Sequence, residues 1–252
     1  MKKYIFFIVE GKHDKDEILA VLNTPFFSEF REKYEPCVFL ANVGGKNRTL
    51  RFSTVAGGDI TADSGTTASN ILGRLNELIN DYKKSGRGYP IAHRDIARIV
   101  QIVDSDGAFI SCECVVRSDD PKPVYLSDTI ETANVDGIVG RNRKKAAVLK
   151  KLAETDRIGN LPYAVYFVSC NMDHVLFADQ NLTSGNKSFH SNEFQSRCEA
   201  HPEYIFETIL HPEVTVECDY PSSWEEIQEG TNSLCRKTNL NLLLRELSDE
   251  LL

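Results

Sequence analysis

The chain has 252 residues, of which 41% are hydrophobic and 26% charged, a composition typical of a globular protein with a sizeable core. No apolar run approaches the roughly 20 residues that a membrane-spanning helix needs, so we expect no membrane partner. The net charge of −8 argues against indiscriminate adhesion to DNA, because nucleic-acid binders usually carry a basic face. It does not exclude nucleic acid as a substrate, since a metal site built from carboxylates is itself acidic.

The first predicted element is a strand over residues 4–9, an apolar run that ends at Glu10. This run is shorter than the about 7–15 residues of a signal-peptide core, and no small-residue cleavage site follows, so we expect the segment to stay in the mature chain. The seven cysteines are odd in number and have no CxxC spacing, which argues against a disulfide framework. We therefore expect a cytoplasmic protein.

Strand and helix patterns alternate along the first 170 residues, which predicts βαβ units and a mainly parallel sheet flanked by helices, an α/β fold. The predicted strands are 4–9, 37–43, 97–103 and 163–169, the helices are 14–22, 70–82 and 141–154, and the loops are 53–68 and 118–128. Helical patches at 192–200 and 240–252 predict a mostly helical C-terminal extension. We divide the chain into a core, residues 1–180, and an extension, residues 181–252, packed on the core.

Acidic residues follow three of the four predicted strands. Glu10 ends the first strand, Asp104 and Asp106 end the third, and Asp173 comes shortly after the fourth. Because ligands bind at the carboxyl ends of parallel strands, we expect these groups to converge on one edge of the sheet. Asp104 and Asp106 have period-two spacing, so their carboxylates point the same way if the extended conformation persists. Such an all-oxygen pocket suits Mg²⁺ or Mn²⁺, and a cation would relieve the repulsion between the carboxylates.

Two motifs carry a family resemblance. VEG at 9–11 and VDSDG at 103–107, each preceded by an apolar strand, resemble the signature motifs of the Toprim domain. That domain is shared by topoisomerases, bacterial primases and the nucleases of the OLD (overcoming lysogenization defect) family. In it, a glutamate after the first strand and a DxD after the third position Mg²⁺ for phosphoryl transfer. The turn at 44–46 is also similar to a feature of OLD-type members, and the resemblance covers residues 4–178.

The resemblance implies a Toprim-like, Rossmann-like fold and roles for four residues. Glu10 would be a metal ligand or general acid/base, Asp104 and Asp106 metal ligands, and Lys46 a phosphate contact. The alternatives are a helix cap for Glu10 and turn formation for the two aspartates. The segment around Lys46 departs from the Walker pattern, so ATP binding there is not expected. Since OLD-type nucleases usually have a fused ATPase domain, a separate ATPase partner protein is expected.

Asp173 and His174 are further candidates, at a predicted junction between a strand and a helix. Asp173 would add a metal ligand, and His174 would donate to a phosphate or act as a base. The alternative is structural: Asp or Asn at such a junction often caps the helix, and a lone histidine is more often a hydrogen-bonding group of the core.

The predicted helix 141–154 holds the strongest positive patch of the chain, which includes Arg141, Arg143, Lys144 and Lys145. Its charges alternate with apolar residues, which predicts an amphipathic helix with a solvated basic face. The functional alternative is binding to the phosphate backbone of nucleic acid.

The leading hypothesis is a Toprim-like nuclease that uses Mg²⁺ or Mn²⁺ to hydrolyse phosphodiester bonds in DNA or RNA, with a role in phage defence or mobile-element biology. A second hypothesis is a nucleic-acid or nucleotide-binding module that has the same scaffold and no turnover. A third is a signalling domain of receiver type. Receivers carry paired acids after the first strand and one phosphoacceptor after the third, which is the reverse of the distribution here.

Overall fold

The computed structural model of the chain describes residues 2–44, 49–248 and 251. In chain order its strands are β1 (Lys3–Val9), β2 (Tyr34–Gly44), β3 (Thr49–Ser53), β4 (Ile96–Asp104), β5 (Val115–Arg117), β6 (Val124–Tyr125), β7 (Ile130–Thr132), β8 (Arg157–Ile158), β9 (Leu161–Ser169) and β10 (Lys237–Thr238).

The α-helices are α1 (Lys12–Asn23), α2 (Ser28–Lys33), α3 (Ile71–Ser85), α4 (Val135–Ala153), α5 (Met172–Phe177), α6 (Ser184–Ala200), α7 (Tyr204–Glu207), α8 (Tyr220–Glu226) and α9 (Leu240–Leu247). Within the described ranges, none of these helices combines the length and the apolar character needed to cross a membrane.

A seven-stranded mixed sheet organises the fold. Its strand order is β10-β9-β4-β1-β2-β3, and β8 pairs with β9 outside this path. Strand β1 is parallel to both of its neighbours: Ile8 lies opposite Phe39 of β2 and Gln101 of β4. The outer pairings β2–β3 and β9–β10 are antiparallel. The carboxyl ends of β1 and β4 therefore lie at the same edge of the sheet.

Strand β1 is central because both of its faces are apolar. Phe6 and Phe7 are fully buried and point to opposite faces of the sheet. On one face, the ring of Phe6 meets Phe39 of β2 edge-on, with centroids 5.7 Å apart, and Phe39 stacks on Tyr82 of α3 at 4.0 Å. Such burial of a strand on both faces is typical of the interior of an α/β sheet.

The prediction of an α/β fold with helices flanking the sheet is confirmed, and the sheet is mixed. Each of the four predicted strands and the three predicted core helices is present. Strand β3 and the small sheet β5-β7-β6 lie in segments for which the sequence predicted no strand. Strands of two to five residues carry too few side chains for a period-two pattern to be recognised.

The chain divides into two compact units by its internal contacts. The first contains residues 1–102 and 147–165. It holds β1 to β3, α1 to α3, most of β4, the last seven residues of α4, β8 and the first part of β9. Leu149 and Leu152 of α4 are fully buried.

The second unit contains residues 103–146 and 166–252. The small sheet β5-β7-β6 lies here, over a cluster of apolar side chains. That cluster includes Ile110, Val115, Ile130, Ile138 and Leu234. Strand β10 extends β9, and the adjacent Asn239 is fully buried and accepts the Phe167 N–H at 2.8 Å. The predicted domain division at residue 180 stays a prediction.

Candidate functional site

Glu10 directly follows β1, at the carboxyl end of this buried strand, and is partly buried. The next residue, Gly11, is the N-cap of α1, and its N–H donates to Asp14 Oδ2 at 2.8 Å. Asp14, at the third position of the helix, thus accepts the N–H of the N-cap residue, as in one half of a capping box. The end of a buried strand in a sheet of this type is where polar ligand-binding groups are expected.

The loop 54–70 lies against the ends of β1 and β2. A Cβ atom at Gly57 would be 2.2 Å from the carbonyl oxygen of Glu10, far inside van der Waals contact. The next residue, Gly58, donates its N–H to the carbonyl oxygen of Ala41 at 3.0 Å. Because only glycine lacks a Cβ atom, the sequence at Gly57 permits this close approach of the loop to Glu10.

This approach brings Asp59 to Glu10. A carboxylate oxygen of Asp59 and one of Glu10 lie within 4.8 Å of each other. Asp59 Oδ1 also accepts the N–H groups of Thr61 at 2.7 Å and Ala62 at 3.1 Å, a local turn that orients the side chain. Sequence analysis did not single out Asp59, because its loop has no periodicity. The two preceding glycines were the available signal, since they permit close approach of one backbone to another.

Asp106 lies in the turn after β4 and has a left-handed backbone, with φ at 48°. Its N–H donates to the Cys170 carbonyl oxygen at 2.8 Å, and its own carbonyl oxygen accepts from Arg141 Nη2 at 2.8 Å. Its Oδ2 accepts from Lys145 Nζ at 2.5 Å. A non-glycine residue with positive φ is uncommon and persists where surrounding contacts determine it. Backbone and carboxylate are thus both held in place.

Asp104 has different partners from Asp106. The extended conformation ends at Asp104, so the two carboxylates do not continue the period-two geometry. Asp104 Oδ1 accepts the N–H of Met172 at 3.2 Å, in the first turn of α5. Burial, followed by the charges of Asp106 and Asp104, raises the pKa of the Cys170 thiol well above its ordinary value. The metal-ligand role of Asp104 stays a prediction.

Asp173 lies in the first turn of α5, where Asn171 is the N-cap and accepts the His174 N–H at 2.9 Å. The Asp173 side chain is 8% exposed and forms an ion pair with Lys187 of α6. It is outside the group of described acids whose oxygens lie close enough to share an ion. Its predicted role as a ligand stays a prediction.

His174 is a hydrogen-bond acceptor in the turn between β9 and α5. Its Nδ1 accepts the N–H of Cys170 at 3.1 Å. Burial, together with the nearby guanidinium of Arg236, lowers the pKa of His174 to about 4. The imidazole is therefore neutral near pH 7. Its predicted role in catalysis stays a prediction.

The basic residues of the predicted patch on α4 differ in their exposure to solvent. Arg143 is exposed and Lys144 is partly buried, but Lys145 is fully buried and Arg141 turns toward the Asp106 carbonyl. The prediction of a single solvated basic face is therefore wrong for Lys145. The physical reason is that the ammonium group of Lys145 forms an ion pair with the carboxylate of Asp106, which compensates for its burial. Lys46, the predicted phosphate contact, lies outside the described residues.

Glu10 and Asp59, both in the first unit, bring their carboxylate oxygens within 4.8 Å of each other and could contribute to a metal site. Asp106 lies in the second unit and has a partly buried carboxylate. All three offer carboxylate oxygens, the ligand type that hard divalent cations prefer.

Comparison of the chain with protein-family models, with characterised proteins and with solved structures found no match. The resemblance to Toprim proteins therefore depends on the two motifs, and membership of that family remains a proposal. One fold can support many activities, so function has to be inferred from the residues and geometry of the site.

Replacing Gly57 with alanine tests the contact between the loop and Glu10. The new Cβ atom has to move the loop or the end of β1, so we expect the free energy of unfolding to fall by about 1–3 kcal/mol in urea denaturation. Gly58→Ala is the matched control, because a Cβ atom there meets nothing within 4 Å. Its effect should stay within about 0.5 kcal/mol. Equal losses in the two variants would contradict the close contact at Gly57.

A pH titration tests the environment of His174. Its folded pKa of about 4 lies below the unfolded value of 6.5, so the unfolded chain takes up the proton first. The contribution of His174 is fully present above pH 6.5 and is lost as the pH falls toward 4, by up to about 3 kcal/mol. His174→Asn keeps an acceptor for Cys170 and does not titrate. We expect its unfolding free energy to fall less steeply than that of wild type in this range; parallel curves would refute the shift.

Proposed function

We propose that the protein is a Toprim-like, metal-dependent nuclease that hydrolyses phosphodiester bonds in nucleic acid. The observation that carries the proposal is the pair of carboxylates of Glu10 and Asp59, whose oxygens lie within 4.8 Å of each other at the end of β1. Asp106 is the third proposed ligand, on the ground of its motif in the sequence. Two of these residues follow the carboxyl ends of β1 and β4, which are neighbouring parallel strands. This is the edge at which α/β sheets bind their ligands.

The side chains fit a hard divalent cation such as Mg²⁺ or Mn²⁺. All three donors are carboxylates, and a site with few protein ligands leaves room for water and a phosphate oxygen. Carboxylates held this close repel each other, and a bound cation would reduce that repulsion. When bound, the cation would supply positive charge that stabilises the charge developing on the phosphate oxygens.

The protein would orient these ligands through three different elements. Glu10 follows the end of β1, and Asp59 lies on a loop whose close approach to Glu10 is permitted by Gly57. Asp106 is held through its backbone and its carboxylate by helix α4. Ligands fixed by their surroundings lose little freedom on binding, so the site would be largely preorganised.

Substrate contacts and biological role belong to the same proposal. Arg143 and Lys144 remain candidates for the phosphate backbone, since Arg143 is exposed and Lys144 partly exposed on α4. A role in phage defence or mobile-element biology, and a separate ATPase partner, follow from the resemblance to OLD-type nucleases. Co-purification from the native host tests for that partner, and isolation of the protein alone would argue against a stable complex.

One observation favours the second candidate, a Toprim-like module that binds nucleic acid or nucleotides without turnover. Lys145 donates to Asp106 at 2.5 Å, so part of the negative charge is compensated by the protein itself. A site of this kind keeps its structure without a cation. Binding and cleavage have to be measured separately to distinguish the two candidates.

The decisive experiment compares wild type with Glu10→Gln, Asp59→Asn, Asp106→Asn and Asp104→Asn. We expect each of the first three substitutions to weaken Mn²⁺ binding at least about tenfold in calorimetry. Each should also slow cleavage of single-stranded DNA, double-stranded DNA or RNA about 100-fold or more. Asp104→Asn tests the ligand role that the sequence predicts for Asp104, which would require a loss of Mn²⁺ affinity of the same size.

Asp119→Asn is the control, because Asp119 is exposed in a loop of the second unit. It should bind Mn²⁺ and cleave like wild type. Wild type that binds no Mn²⁺ would remove the metal site from consideration. Wild type that binds Mn²⁺ and nucleic acid but cuts none of the substrates would leave the inactive module as the better account.

A further inference from the structure

We infer that Lys145 is a built-in counter-ion of the proposed metal site: it holds Asp106 in place without a cation, and it weakens cation binding. This inference rests on the proposed function, because it concerns one of the proposed ligands. Its starting point is the position of Lys145, whose side chain is 0% exposed and whose Nζ lies 2.5 Å from Asp106 Oδ2.

Burial of a lysine side chain is energetically unfavourable unless other interactions compensate for it. Moving an ammonium group out of water is costly unless an opposite charge and good hydrogen bonds compensate it. Asp106 supplies that charge, and its side chain is 20% exposed, so the carboxylate also faces outward from the pair. The pair thus joins a buried cation to a carboxylate that remains accessible.

Helix α4 presents further groups to the same turn. Arg141 lies four residues before Lys145, on the same side of the helix, and donates to the Asp106 carbonyl oxygen. Asn142 donates to the Gly107 carbonyl oxygen at 3.0 Å. Backbone and carboxylate of the turn are therefore held by separate side chains. Since Arg141 and Asn142 hold the backbone, removal of the Lys145 charge should leave the backbone of the turn largely unchanged and release only the carboxylate of Asp106.

The charge of Lys145 has a direct consequence for a cation. A divalent ion bound to Asp106 would lie close to the ammonium, and like charges repel each other strongly where little water screens them. The ion must also share or displace the hydrogen bond from Nζ to Oδ2. Both effects lower the affinity of the site for a cation. Removal of the Lys145 charge should therefore raise the affinity for the cation and lower the stability of the metal-free protein.

The first test removes the charge and keeps the volume. We expect Lys145→Met to bind Mn²⁺ at least about tenfold more tightly than wild type in calorimetry, because the repulsion is gone. Lys145→Arg keeps the charge and should stay close to the wild-type affinity. Lys151→Met, at an exposed position of the same helix, should also bind like wild type. Unchanged or weaker binding by Lys145→Met would overturn the inference.

The second test needs no metal and remains informative if Lys145→Met folds poorly. In EDTA, Lys145→Met and Asp106→Asn should each lower the melting temperature by about 5 °C or more. The double variant should be no less stable than either single variant, because neither charge is then left buried alone. Additive losses would show that the two residues are not a counter-ion pair. Failure of wild type to bind Mn²⁺ would instead refute the proposed function and leave this result intact.

Discussion

The burial of β1 determines where the candidate residues lie. Its apolar side chains fill both faces of the sheet, and parallel pairing with β2 and β4 sets the register of all three strands. Since the interior of the strand has no polar side chain, the first acidic group is at its end, as Glu10. Asp106, a proposed ligand, follows the neighbouring β4, and loop 54–70 reaches the end of β1 at Gly57, where no Cβ atom blocks the approach. The pairing of these strands therefore sets where the candidate residues lie, and individual hydrogen bonds then orient their side chains.

Three aspartates of the second unit have nearby partners. Asp106 has Lys145, Asp173 has Lys187, and Asp104 accepts a backbone N–H at the start of α5. Each partner lowers the free-energy cost of keeping a carboxylate away from bulk water. The carboxylates of Glu10 and Asp59 lie within 4.8 Å of each other. Two like charges this close repel, which is a physical reason to propose a cation beside them.

The hydrogen bonds around Cys170 show how a structural role and a candidate catalytic role can be distinguished. Its carbonyl oxygen fixes the Asp106 N–H, and its N–H fixes His174 Nδ1. Burial keeps His174 neutral, which suits an acceptor inside the fold more than a proton donor to phosphate. Burial raises the pKa of the Cys170 thiol, and the nearby charges of Asp106 and Asp104 raise it further. These groups support the turns that carry the acidic residues.

The sequence by itself determined the strands and helices of the core and the positions of Glu10, Asp104 and Asp106 at strand ends. Hydrophobic periodicity is a local property of the sequence. An acidic residue that ends an apolar run can likewise be recognised from the sequence, without knowledge of tertiary contacts. Only the tertiary structure decided that Asp59 lies beside Glu10, that Asp104 and Asp106 have separate partners, and that Lys145 is buried. These three facts depend on contacts between residues 35 to 68 positions apart, made by loops and by one helix face. Local patterns carry no information about which distant backbone or charge a side chain will meet.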